Sequence, residues 1–167
     1  MKILGAIIIV CSCWILGVDF YKSNISKLEF AKGLYDGAEY LKSEIVYSCD
    51  LLGESLLKSA AFSGCAAEFI ELTGKELVKK GVSTEDAFKK TKTILAKSTN
   101  KDIYLLTKDL FLQLGEKDCD NQGKLLDGYL ERLAAFIKKQ SDFCEKECVV
   151  FKKTGLIAGI GIVVLLI

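Results

Sequence analysis

An all-α fold is what the sequence predicts: an antiparallel helical bundle of about six helices, with the first and last helices continuing into terminal membrane spans. Three observations carry that prediction. The 167 residues contain no Pro, the residue that most reliably breaks a helix, so long helices can run unhindered. Between the two ends, apolar side chains recur at spacings of three and four, which gathers them on one helical face. The two ends themselves are almost wholly apolar, as a bilayer demands. The chain therefore divides into an N-terminal transmembrane helix over 1–19, a cytoplasmic helical domain over 20–153 and a C-terminal membrane segment over 154–167.

Residues 3–18 are apolar or small and lie between Lys2 and Asp19. A span needs ~20 residues, and a snorkelling Lys2 with Phe20 and Tyr21 at the interface supplies the missing reach. The competing reading is a cleaved signal peptide, against which stand an n-region of one Lys and no A-x-A site. Residues 155–167 carry no polar side chain, yet a helix of that length reaches only ~20 Å. It must recruit 149–154, with Lys152 and Lys153 snorkelling, or thin the membrane locally. Gly155 and Gly159 make a G-x-x-x-G step that suits close helix packing, and helix association and plain tail anchoring both stay open. Sidedness follows from the lysines. Lys22, Lys27, Lys32, Lys138, Lys139, Lys146, Lys152 and Lys153 flank the spans on the domain side, whereas Lys2 is alone on the other, so the domain faces the cytoplasm.

From Asp19 onward Ala31, Leu34, Ala38, Leu41, Ile45 and Leu52 form one stripe, which predicts a long first helix leaving the membrane. Leu51, Leu52, Leu56 and Leu57 mark a shorter second one. Ala66, Phe69, Ile70, Leu77 and Val78 give a third, closed by Gly81. Ser83 with Asp86 resembles a capping box ahead of a fourth face made by Ala87, Phe88, Thr91, Ile94 and Leu95. Ile103, Leu106, Leu110 and Leu114 carry the fifth helix, and Gly115 ends it. Leu126, Tyr129, Leu133, Phe136, Ile137, Gln140 and Phe143 carry the sixth, which runs almost without interruption into the terminal apolar segment.

Composition narrows function by exclusion. A formal net charge of +1 offers no general attraction for phosphates, so nucleic acid is not an expected partner. The chain has no His, which removes the commonest general base and the commonest metal ligand. Neither an enzyme nor a small-molecule substrate nor a cofactor is expected. Seven Cys is an odd number, scattered without a disulfide pattern, as suits packing thiols in a reducing compartment. Cys144 and Cys148 share a helix face, but a structural zinc wants four ligands. No G-x-x-x-x-G-K-S/T loop is present, so nucleotide hydrolysis would have to come from a partner.

Several linked segments carry a family likeness over essentially the whole chain. Lys2-Ile3-Leu4-Gly5-Ala6 with Trp14 and Gly17 opens it, and Glu44-Ile45-Val46-Tyr47 follows Leu41. Leu114-Gly115 followed by Asp118, Gln122 and Lys124 matches L-G-x-x-D-x-x-x-Q-x-K, and Lys152, Lys153, Gly155, Ala158 and Gly159 close the pattern. With these the chain resembles the stage III sporulation protein AB family of endospore-forming bacteria, with Phe88 where a Trp is usual and no Pro after Tyr47. That resemblance implies a non-enzymatic membrane component of the channel complex joining mother cell and forespore, required for endospore formation. It also implies a helical domain similar to the inner-membrane platform proteins of type II secretion and type IV pilus machines. The implied place is the mother-cell membrane that becomes the outer forespore membrane, with the domain in the mother-cell cytoplasm. Expected partners are a secretion-type ATPase, other membrane proteins of the sporulation channel complex, the lipid bilayer and, as an open option, further copies of the chain. Glu44, Tyr47, Asp118, Gln122 and Lys124 are the residues expected at partner contacts, although each can equally serve as a cap or a helix-end tie. The alternative function is an exported or membrane-anchored helical binding protein with a cleaved signal peptide.

Overall fold

The computed structural model describes the backbone of residues 2–48, 51–79, 81–115, 119–148 and 150, and their side chains except at 2–10, 13, 48, 119, 120 and 148. Every regular element described is helical. In chain order these are α1 (Lys2–Ser48), α2 (Leu52–Ala60), a 3₁₀ turn (Gly64–Ala66), α3 (Ala67–Leu77), α4 (Thr84–Ser98), α5 (Lys101–Gln113) and α6 (Cys119–Phe143), closed by a π turn (Cys144–Cys148). The all-α expectation of about six helices holds. Leu52 belongs to α2 and not to the end of the first stripe, because α1 stops at Ser48.

The helix boundaries follow local chemistry. Ser83 Oγ accepts from the Asp86 backbone N–H at 3.2 Å and donates to Asp86 Oδ2 at 3.0 Å, so the predicted capping pair starts α4. Gly81 and Gly115 adopt φ of +79° and +89°, left-handed values that a side chain resists, and they stand beyond the ends of α3 and α5. The Thr84 hydroxyl donates to the Leu114 carbonyl at 2.9 Å and ties the start of α4 to the end of α5.

Two compact units divide the chain: Lys27–Lys138, and Met1–Ser26 together with Lys139–Ile167. In the first, the α1 stripe of Ala31, Leu34, Ala38, Leu41 and Ile45 is buried against Leu56, Phe69, Ile70, Leu95, Leu110, Leu126 and Leu133. Phe88 sits inside an aromatic cluster, edge-on to Phe69 at 6.4 Å and stacked with Phe111 at 5.6 Å. That surrounding explains why an aromatic residue stands there. The interior also holds paired hydroxyls: Thr73 with Thr91 at 2.9 Å and Thr107 with Tyr129 at 3.1 Å. Burial pushes the Tyr129 phenol up to about 12, against a smaller opposing effect of the Thr107 hydrogen bond.

Helix α1 presses closely on the turn after α2. A Cβ added at Gly33 would lie 2.1 Å from the Ser63 carbonyl oxygen, and one at Gly37 2.2 Å from Ser63 Oγ. Neither position has room for a side chain. α1 and α6 run antiparallel here, since Lys42 pairs with Asp127 at 2.5 Å and Val46 packs on Gly123, whose added Cβ would sit 3.0 Å from it.

In the second unit, Gln140 Nε2 donates to Asn24 Oδ1 at 3.3 Å and lies 3.9 Å from the buried Cys144 sulfur. Trp14, Ile15, Leu16 and Phe20 are exposed along α1. Among the described residues no helix is long and apolar enough to cross a membrane. The side chains at 3–10 and 13, and the whole of 154–167, lie outside the described residues.

Candidate docking surface

The residues expected at partner contacts fall into two settings. Glu44 is only 16% exposed and accepts from Lys58 of α2 at 2.9 Å. Tyr40, one turn earlier on α1, has its phenol held up first by partial burial and then by a hydrogen bond to Glu44. Its ring stacks on Phe62 at 4.3 Å. Glu44 thereby serves as a tie between α1 and the α2 end of the bundle. Tyr47, by contrast, is 87% exposed near the end of α1.

Gln122 and Lys124 stand in the first turns of α6, half-buried and exposed respectively. The contact between Val46 and Gly123 brings the last turns of α1 against these first turns of α6. Sequence positions far apart are thus gathered at one end of the bundle. Asp118, Gly155 and Gly159 lie outside the described residues.

Lys124 also borders a feature that the sequence did not point to, a groove of about 260 Å³ between α5 and α6. Its floor is Leu106, Leu110, Leu125, Gly128 and Tyr129, and its rims carry Asp109 and Gln113 from α5 and Lys124 and Arg132 from α6. Lys124 and Arg132 are exposed, and neither forms an ion pair among the described residues. Elsewhere charges are matched along the surface: Glu76 bonds Lys79 and also meets Lys90 at 2.6 Å, and these bonds, that to Lys79 first, hold its carboxyl below the usual range. Arg132, Asp109 and Gly128 escaped sequence reasoning. The available signal was Gly128 itself, a glycine inside an otherwise strong helical pattern.

A second, larger cleft of about 610 Å³ opens where the ends of α2, α3, α4 and α5 meet, lined by Leu51, Leu77, Val78, Val82 and Thr84 among others. It is mostly apolar with Glu54 and Glu85 as its charged residues, whereas the α5–α6 groove joins an apolar floor to rims that carry charges of both signs. Chemically, the latter arrangement suits recognition of a protein surface: apolar area for affinity, charges for register and specificity.

The comparisons with known proteins give one result of each kind. No curated protein and no solved structure matches the chain. The family model described as stage III sporulation protein AB matches residues 2–167, so this all-α chain belongs to the stage III sporulation protein AB family and is a protein of stage III of sporulation.

Proposed function

We propose that the chain is a non-enzymatic membrane component of a secretion-like channel between mother cell and forespore, a platform on which a cytoplasmic ATPase and neighbouring membrane proteins assemble. Both ends embed in the mother-cell membrane that becomes the outer forespore membrane, and the helical unit works in the mother-cell cytoplasm. The observation that carries this reading is the exposure of Trp14, Ile15, Leu16 and Phe20 on the same helix that supplies the bundle's core stripe. Side chains of that size left contiguous in solvent call for lipid or another protein. The lysines that follow, Lys22, Lys27 and Lys32, support placing the helical unit on the cytoplasmic side.

The test uses the full chain in sporulating cells. A membrane-impermeant maleimide should leave the exposed Cys65 unlabelled until the cells are permeabilised, and the solubilised protein should bring the ATPase with it. Charge reversals Asp118→Lys and Lys124→Glu should reduce that co-purification while helical content is retained. Rapid labelling of Cys65 in intact cells would place the helical unit outside the cytoplasm. Undiminished recovery of the ATPase with both variants would remove these residues from the contact.

A further inference from the structure

The glycines within the bundle separate into two groups. Gly33, Gly37, Gly53, Gly74 and Gly123 have neighbours so close that an added Cβ would lie at 3.1 Å or less. Gly128 is different, with nothing within 4 Å of its ideal Cβ and no left-handed φ. It is exposed in the interior of α6, where glycine disfavours the helix relative to alanine. The fold gives no internal reason for it. What its missing side chain leaves open is the floor of the α5–α6 groove, with Lys124 one turn before and Arg132 one turn after.

We infer that this groove seats an α-helix of another protein, one that crosses α6 at Gly128 and presents two carboxylates about two turns apart to Lys124 and Arg132. A glycine at a crossing point lets two helix backbones approach more closely than larger residues do. Lys124 and Arg132, eight residues apart, are separated by ~12 Å along the axis, which carboxylates seven or eight residues apart on the incoming helix match. Asp109 on the opposite rim repels a helix that is acidic all round, so the acidic residues of the partner lie along one edge. The volume, about 260 Å³, falls below the ~300 Å³ at which small-molecule sites begin, and suits one or two inserted side chains.

A second copy of this chain docking α6 on α6 does not fit the charges. Two α6 helices crossing at Gly128 antiparallel would set Lys124 of one against Arg132 of the other. A parallel pair would set Lys124 against Lys124. Either arrangement juxtaposes like charges. The inference goes beyond the platform reading, because it specifies a surface and the chemistry of its occupant whichever protein supplies the helix.

Photo-cross-linking from the groove rim tests it, with p-benzoylphenylalanine replacing Gln113 in the full chain in sporulating cells. The expected result is an adduct with a different protein, and sequencing of its cross-linked peptide should reveal a helical segment with Asp or Glu residues seven or eight apart. The adduct should fall at least tenfold with Lys124→Glu plus Arg132→Glu, and equally with Gly128→Leu. It should return when the partner's two carboxylates are replaced by Lys in the Lys124→Glu, Arg132→Glu background. The denaturation midpoint of Gly128→Leu should be no lower than that of the parent, which separates lost docking from lost fold. An adduct with a second copy, no adduct, or one undiminished by these changes overturns the inference. An adduct with an acidic helix from a protein other than the ATPase sustains it, while counting against docking of the ATPase on this face.

Discussion

The contact of α1 with the α2–α3 region and the seam between α5 and α6 solve the same packing problem in opposite ways. At the first, glycines let neighbouring segments close in without side chains between them: Gly33 faces the Ser63 backbone and Gly37 its side chain, and within the α2–α3 region Gly74 faces Leu57 at 3.1 Å. At the second, the interior is sealed by Thr107 and Tyr129 but the surface is left open, with Gly128 at the floor of the groove and charges on both rims. Glycine in a helix interior is costly in either place. One region recovers that cost within the chain, and the other has nothing within the chain to recover it. The difference teaches that the closed face is built for stability and the open one for an outside contact.

The largest expected effect breaks the closed face. Gly33→Ala would place a methyl group 2.1 Å from the Ser63 carbonyl oxygen, a backbone atom that cannot rotate away. Relief requires α1 to move from the turn after α2, and overpacking of this kind costs about 1–3 kcal/mol. Chemical denaturation of the full chain in detergent micelles, followed by helical circular dichroism, should show a correspondingly lower midpoint. An unchanged midpoint would mean that α1 and Ser63 do not approach as described.

A smaller effect tests how well the seam is sealed beneath its groove. The Tyr129 phenol is fully buried with its pKa at about 12, above the usual 10.0 of the unfolded chain. A pKa raised by folding favours the protonated phenol in the fold, so its contribution is fully present below pH 10. It is lost as pH rises from there towards about 12, because unfolding then releases a proton. The slope is about 1.4 kcal/mol per pH unit. Tyr129→Phe should flatten the fall in stability over this window relative to the parent. If parent and variant lose stability in parallel from pH 10 upward, water reaches the phenol through the groove.

How much of this was legible in the sequence differs between the two regions. The helices and the core stripe were, because Leu34, Leu41 and Ile45 repeat at helical spacing, and because Ser83 with Asp86 and Gly81 and Gly115 punctuate the ends by local rules. The close approach of Gly33 and Gly37 to Ser63 was not, since it depends on which turn of α1 meets which loop, a tertiary fact that local patterns do not encode. Glu44 illustrates the same gap. Its residue type suggests a surface contact, yet its partners Lys58 and Tyr40 are set by how α1 meets α2. Lys124 was legible as a candidate, but its companion Arg132 and the open Gly128 between them emerge only once α5 lies beside α6.

The smallest expected effect separates the two regions by sign. Gly123 and Gly128 are near neighbours on α6, but Val46 would lie 3.0 Å from a Cβ at Gly123, whereas a Cβ at Gly128 meets nothing. Gly128→Ala therefore adds no clash and removes the extra freedom that glycine gives the unfolded chain and the weakness that it gives a helix. The folded chain should gain about 0.5–1 kcal/mol. Gly123→Ala forgoes most of that gain, because the Val46 methyl must shift to admit the new one. The measurement is a paired comparison of denaturation midpoints for the two variants in the same micelles, away from any partner. A gain at Gly128 with none at Gly123 means that the isolated chain carries a destabilising glycine with no use inside the fold. A loss at Gly128 would instead mean that the glycine serves internal packing, and the open seam would then differ from the closed face only in degree.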